Sequence, residues 1–432
     1  MEKYSSNGLL ENYDNLSNMV KEYNDKQNDD FSWITKNDQE AIDITESSKS
    51  ISYGIPNQII GNYEKAHLFL CLFNPRTRTD TSEISNLKDY IESENSDGGE
   101  LFESVEEYSN HIQNNSKNVL ELELETLKEE KFSPKEFEKI IDNMKDISTQ
   151  KFEENGVYLK KISQTSQFKK AYVRSSNNVS DRLIFKSDFK KELITVLDSL
   201  NKETLEVEDN LGDLLNEEIK RWIGFEKELI NPTEDIKAGF ENELIRRFKK
   251  ALESLSPINK MYYFTKYYWP LFVEESGSRT NELDIIDDLY SGKKNFHFED
   301  CKICNLELLP YRSNHANEFE FKEGKKLYDV ESAQFVAKLI IDKIKNSNLK
   351  SDDLKFIFRS YPAWRGVMKK VIAAEEDIKI SDADQELSTR YEKYFYKFPN
   401  QSGILSQTNL CPAKISDDEY AKIKALGNIG RK

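Results

Sequence analysis

The sequence predicts an α/β fold: a central, mostly parallel sheet flanked by helices and interrupted by a large, mainly α-helical insertion. Three observations carry this. First, the apolar run His67-Leu68-Phe69-Leu70-Cys71-Leu72-Phe73 stops at Asn74-Pro75. Short, apolar on both faces and ended by proline, it has the pattern of a buried parallel strand. Second, strand-like runs return late in the chain, at His297–Leu309, Leu354–Arg359 and Tyr394–Phe398, with the amphipathic stretch Val330–Asn346 among them. Strand, helix, strand order of this kind builds a parallel or mixed sheet covered by helices. Third, residues 82–256 change character: Glu, Lys, Asn and Leu dominate, and apolar residues recur at helical spacing.

These patterns divide the chain into four parts. Residues 1–50 form a polar amino-terminal extension with weak helical patterning around Leu9–Tyr23 and Asn37–Ser47. Residues 51–81 hold the first strand, residues 82–256 the helical insertion, and residues 257–432 the rest of the sheet. Within the insertion, Ser133-Pro134-Lys135-Glu136 starts a helix, with Ser as N-cap, Pro at the first position and Glu three residues after the cap. Further helices are expected at about 187–200, 209–230 and 234–255, the last ending before Pro257.

Composition bounds the function. A chain of 432 residues is long enough to bury a real core, and 11% aromatic content argues against wholesale disorder. No apolar run approaches the ~20 residues of a membrane span. The stretch MEKYSSNGLL lacks the basic and apolar regions of a signal peptide, and four cysteines are too few for a disulfide scaffold of this size. A reducing, cytoplasmic setting is the expectation. The net charge of −16 opposes nucleic-acid binding as a whole, but it is unevenly spread. Residues 1–255 carry 34 Lys+Arg against 51 Asp+Glu, whereas residues 256–432 carry 28 against 27. The later part is free to meet a polyanion.

Ligands of α/β sheets bind beyond the carboxyl ends of the strands. Three asparagines are associated with the predicted strands: Asn74 after the first run, Asn305 within the run after His297, and Asn400 after Phe398. Asparagine donates and accepts at once, which suits both water positioning and reading a base edge. Phe73-Asn74-Pro75 resembles the G-[IM]-N-P-G motif of the mismatch-specific and single-strand-selective uracil-DNA glycosylases. Asn400-Gln401-Ser402-Gly403-Ile404-Leu405-Ser406 is similar to their second motif, N-P-S-G-L-S, and Cys304-Asn305-Leu306-Glu307-Leu308-Leu309-Pro310 to their h-N-x-x-P segment. The resemblance covers roughly residues 53–80 and 258–427. It departs from the family at Phe73 and Arg76, where glycines stand, and at Gln401, where proline stands; no histidine follows residue 315.

The resemblance implies a DNA glycosylase that takes a flipped or single-stranded base and excises it by water attack at C1′. Asn74 would hold the water, and Asn400 would face the base or its leaving oxygen. Phe73, Pro75 and Asn305 would line the base, and Ser402 would bind a flanking phosphate. Ile404 or Leu405 would enter the vacated stack as a wedge, with loop-to-core packing as the alternative. Arg76, Arg78, Arg312, Arg359 and Arg365 are candidate DNA contacts. Tyr361 and Trp364 are candidate stacking platforms, or a core anchor in the case of Trp364. Neither cofactor nor metal is expected: in a strand, Cys301 and Cys304 face opposite sides, so buried thiols are favoured over a zinc site. The acidic runs Glu121–Glu130 and Glu203–Glu218 read as solvated faces, or as a surface for a protein partner. The expected partner is DNA, with no membrane. The long insertion favours a specialised enzyme over a housekeeping one, such as one removing modified bases from phage DNA. The changes around Asn74 motivate a second reading, a non-catalytic nucleic-acid or nucleotide-binding module of the same fold. A third is a helical interaction protein on an α/β scaffold.

Overall fold

The run that ends at Asn74 forms the central strand. The computed structural model describes residues 16–45, 48–75, 84, 86–96, 117–130, 133–139, 142, 257–272, 282–293, 297–313, 318–347, 349–399, 404–410 and 415–427. Its described strands are β1 (Ile42–Asp43), β2 (Ile59–Ile60), β3 (Leu68–Leu72), β4 (Ile303–Glu307), β5 (Glu320–Phe321), β6 (Lys355–Phe358) and β7 (Phe395–Lys397). β1 and β5 form a small antiparallel pair. The main sheet has the order β2-β4-β3-β6-β7, antiparallel at β2 and parallel elsewhere. The late strands predicted from sequence are all in it. The α/β class with a mostly parallel sheet therefore stands.

All five residues of β3 are buried, because helices and loops cover both faces. Alternate residues divide between those faces. Phe69, Cys71, Cys304, Leu306, Phe356 and Phe358 point into one apolar core. Against it lie two helices, Glu331–Asn346 and Tyr361–Glu376. The first presents Val336, Ile340 and Ile344, spaced four apart along one face. The second presents Trp364, fully buried, whose Nε1 donates to the Leu72 carbonyl at 2.9 Å. That bond lets the indole be buried without an orphaned donor. Phe69 and Phe356 stack across the strands with ring centroids 4.7 Å apart.

The opposite face carries Leu70, Leu72, Asn305, Glu307 and Ile357, all buried. Its cover is a tyrosine-rich segment, Tyr262–Phe272, containing a π-helical turn at Phe264–Tyr268. Such turns are rare and concentrate at functional sites. The helix Val119–Lys128 holds this cover. Its Glu123 carboxylate accepts from the backbone N–H groups of Tyr263 and Phe264.

Residues 1–130 and 260–432 form one compact unit and residues 131–259 a second. Val119–Lys128 thus belongs to the first, and the unit boundary lies at 131, later than the change of character at residue 82. In the second unit the capping box forms: Glu136 N donates to Ser133 Oγ at 3.2 Å, and Ser133 N to Glu136 Oε2 at 3.0 Å. The helices expected over 187–255 lie outside the described residues. The helix expected around Leu9–Tyr23 is described from Leu16 to Asp25. The stretch Asn37–Ser47 differs from expectation: one helical turn, Lys36–Gln39, is followed by β1. Ile34, Ala41 and Ile42 join the main core, so this part of the chain packs as part of the sheet unit. Among the described residues no helix is long and apolar enough to cross a membrane.

Candidate functional site at the carboxyl ends of the strands

The parallel strands follow the spatial order second, first, third, fourth: β4-β3-β6-β7. In sheets of this doubly wound type the crevice opens where the order reverses, between the first and third strands. That point lies between β3 and β6. Phe73-Asn74-Pro75 leaves one strand there and Arg359-Ser360 the other. Ser360 sits in the left-handed region at φ 60°, making the sharp turn from β6 into its helix.

Asn74 is half-buried and tightly oriented. Its Nδ2 donates to Ser313 Oγ at 2.9 Å, to the Pro75 carbonyl at 2.8 Å and, more weakly, to the Tyr311 carbonyl at 3.4 Å. Carbonyls accept only, so the amino side of the amide must face them, and Oδ1 is left as an acceptor with no partner among the described residues. Tyr311 is itself fixed from below: its hydroxyl donates to Asp38 Oδ2 at 2.6 Å, and Asp38 Oδ1 accepts from Ser332 N at 3.0 Å. Asn74 therefore ends a chain of hydrogen bonds anchored in the core. An amide held this way can orient a water through Oδ1.

Asn305 lies in the middle of β4, level with Leu70. Asn74 is four residues beyond Leu70, about 13 Å further along at the ~3.3 Å rise of a strand. The two asparagines therefore do not meet side by side. Asn305 is fully buried; its Oδ1 accepts from the Tyr268 hydroxyl at 2.5 Å, and its Nδ2 has no hydrogen-bond partner among the described residues.

Nearer to Asn74 stands a residue that the sequence reading did not select. Glu307 ends β4 level with Leu72, on the same face as Asn305. The signal was present: Asn305 and Glu307 are two polar residues at alternate positions of an otherwise apolar run, which marks one polar face of a buried strand. Around Glu307 gather Tyr263, whose hydroxyl donates to Oε1 at 3.4 Å, and Tyr267, whose ring stacks on that of Tyr263 at 6.4 Å. The Arg359 guanidinium donates to the Tyr267 hydroxyl and lies 5.8 Å from its ring centroid. The Arg312 Nε donates to the Ile55 carbonyl at 2.9 Å.

The remaining candidates separate clearly. Arg76, Arg78, Asn400 and Ser402 lie outside the described residues. Phe73 packs edge-on against Phe319, with centroids 6.3 Å apart. Leu405 is fully buried, and its carbonyl accepts from the Tyr420 hydroxyl at 2.9 Å, so it takes the packing alternative; Ile404 is half-buried. Arg365 is bound to Asp384 at 2.8 Å, with Glu392 at 3.7 Å, so its charge is already balanced on the protein. Trp364 is the core anchor, and Tyr361 donates to Glu392 at 2.5 Å. Cys71, Cys301 and Cys304 are buried free thiols, and burial pushes the Cys301 thiol up to about 12. Among the described residues no group of three or more metal-ligating side chains is close enough to hold an ion.

A cavity of about 300 Å³, lined by His67, Lys302, Asp352, Asp353 and Lys422, lies at the amino-terminal end of the strands. That end is opposite to the crevice, and we give the cavity no part in the site, because strand carboxyl ends are where such sheets bind ligands. Comparison with protein-family models, with curated proteins and with solved structures finds no match.

Proposed function

We propose that this chain is a DNA glycosylase-like protein, which excises a damaged or modified base by water attack at C1′. The observation that carries the reading is the fixed amide of Asn74, at the crevice between β3 and β6 with Oδ1 free to accept from water. The resemblance of Phe73-Asn74-Pro75 to the family's first motif supports it, as does the position of that motif directly after the first parallel strand. Arg359 and Arg312 supply positive charge at the same end of the sheet, suited to a phosphate-bearing ligand. The substrate class is a nucleoside unit in DNA, and removal of modified bases from phage DNA is one form the activity takes in this reading.

The test is base release from single- and double-stranded oligonucleotides carrying uracil, mismatched thymine or hypermodified cytosine. Abasic sites formed by the wild type and lost in Asn74→Ala support the reading. Binding to these oligonucleotides with no base release supports the second reading, a binding module of the same fold, which the Phe73 and Arg76 departures favour. No binding at low salt removes both, and leaves an interaction protein on an α/β scaffold.

A further inference from the structure

Cleaving an N-glycosidic bond leaves the electron pair of that bond on the base. A proton donor at the leaving base therefore lowers the barrier, by a factor of roughly 10²–10⁴ for a well-placed general acid. The donor must keep its proton near neutral pH and present it without a competing partner. Lysine or arginine can offer positive charge, but a buried carboxylic acid can give up the proton itself.

Glu307 has these properties. It is 1% exposed and forms no ion pair among the described residues. The Tyr263 hydroxyl donates to Oε1, which makes Oε1 the carbonyl-type oxygen and puts the acid proton on Oε2. Oε2 has no hydrogen-bond partner among the described residues. A buried polar atom left unpaired costs about 1–3 kcal/mol, so its presence points to a role in the bound state. Its position fits as well. Level with Leu72 on the neighbouring strand, it lies two residues back from Asn74 and one strand across, about 8 Å from it by strand spacing. The 3.4 Å bond from Tyr263 is long, so it holds the carboxyl only weakly and leaves Oε2 able to turn toward a bound base.

We propose that Glu307 is the general acid of the reaction put forward above, giving the proton on Oε2 to the departing base. This rests on the glycosylase reading. In the step, the C1′–N bond breaks and its electron pair stays on the base, which takes the Oε2 proton. The oxygen of the water held by Asn74 bonds to C1′ and loses one proton to solvent, and Glu307 regains its proton from solvent. Water and the nucleoside unit thus become free base and a C1′ hydroxyl. The groups facing Glu307 are Tyr263 and Tyr267 from the cover, Arg359 from the end of β6 and Arg312 beyond β4. Burial pushes the carboxyl well above the ordinary carboxylate range; the Tyr263 hydrogen bond and the charges of Arg359 and Arg312 pull the other way.

The experiment compares wild type, Glu307→Gln and Glu307→Asp on oligonucleotides carrying deoxyuridine, 5-fluorodeoxyuridine, deoxycytidine or 5-fluorodeoxycytidine. The fluorinated bases leave more readily and need less acid assistance. Glu307→Gln is expected to slow release of the unfluorinated base at least 100-fold and of its fluorinated partner by a clearly smaller factor. A purely structural role would slow both equally. The wild-type rate is expected to fall at alkaline pH, where Glu307 loses its proton, and Glu307→Gln is expected to lack that fall. If that variant fails to fold, Glu307→Asp carries the same comparison, with partial activity and the same bias between leaving groups. Release by wild type that Glu307→Gln keeps within threefold on both bases of a pair overturns the inference and leaves the glycosylase reading standing. No release of any of the four bases by wild type overturns both.

Discussion

The two faces of this sheet are made from the same strands but follow different rules. Toward the helices Glu331–Asn346 and Tyr361–Glu376, alternate residues of β3, β4 and β6 are phenylalanine, cysteine and leucine, packed ring on ring. Toward the tyrosine cover, β4 places Asn305 and Glu307, each with a buried polar atom that has no partner among the described residues. The first face accounts for why the strands stay together. The second gives up stability, since unpaired buried groups are costly. Burial that adds to stability and burial that costs stability can thus be told apart within one element.

Mutations can break this comparison, beginning with the largest expected effect. Phe356→Ala removes a fully buried ring from the apolar face and should cost about 3–5 kcal/mol, read as a drop in the urea unfolding midpoint. A cost below about 1 kcal/mol would show that this face is not the stabilising one.

The tyrosine cover should respond to pH instead. Burial pushes Glu123 from an ordinary 4.5 up to about 8, against the pull of the Tyr263 and Phe264 N–H groups. The folded state then holds the proton more tightly than the unfolded chain. This contribution to stability is fully present below about pH 4.5 and is lost as pH rises through about 8. Urea midpoints measured from pH 4.5 to 9 should decline more in wild type than in Glu123→Gln. Equal declines would place the titration elsewhere.

The smallest effect belongs to the surface. Arg365→Ala breaks half-exposed pairs with Asp384 and Glu392 and should change stability by less than about 1 kcal/mol. A larger loss would mean that the ion pairs help hold the Tyr361–Glu376 helix to the sheet.

Much of the architecture was legible in the sequence. β3, β6 and β7 announce themselves as short apolar runs ended by Asn-Pro, Arg-Ser or Phe-Pro-Asn, and the helix Glu331–Asn346 by its spacing of apolar residues. Strand order was not legible, because pairing joins residues nearly three hundred positions apart, such as Leu68 with Lys355. The site was read in part. Asn74 follows the end of β3, as the Asn-Pro stop of the apolar run predicts, because a strand end is a local feature. Asn305 and Glu307 were harder: their roles depend on Tyr263 and Tyr268, some forty residues earlier in the chain, and on which of two alternating residues ends the strand. At Arg365 and Leu405 the structure shows contacts within the protein: Arg365 pairs with Asp384, and Leu405 is fully buried, the packing alternative that the sequence left open.

In the proposed reading the carboxyl end of the sheet, and Asn74 above all, serves chemistry and not folding. Base release and the thermal midpoint of Asn74→Ala, measured together, test it most directly. The expected result is a loss of release of about 100-fold or more with the midpoint within a few degrees of wild type. Release at the wild-type rate, or a collapse of the midpoint that accounts for the lost activity, would contradict it.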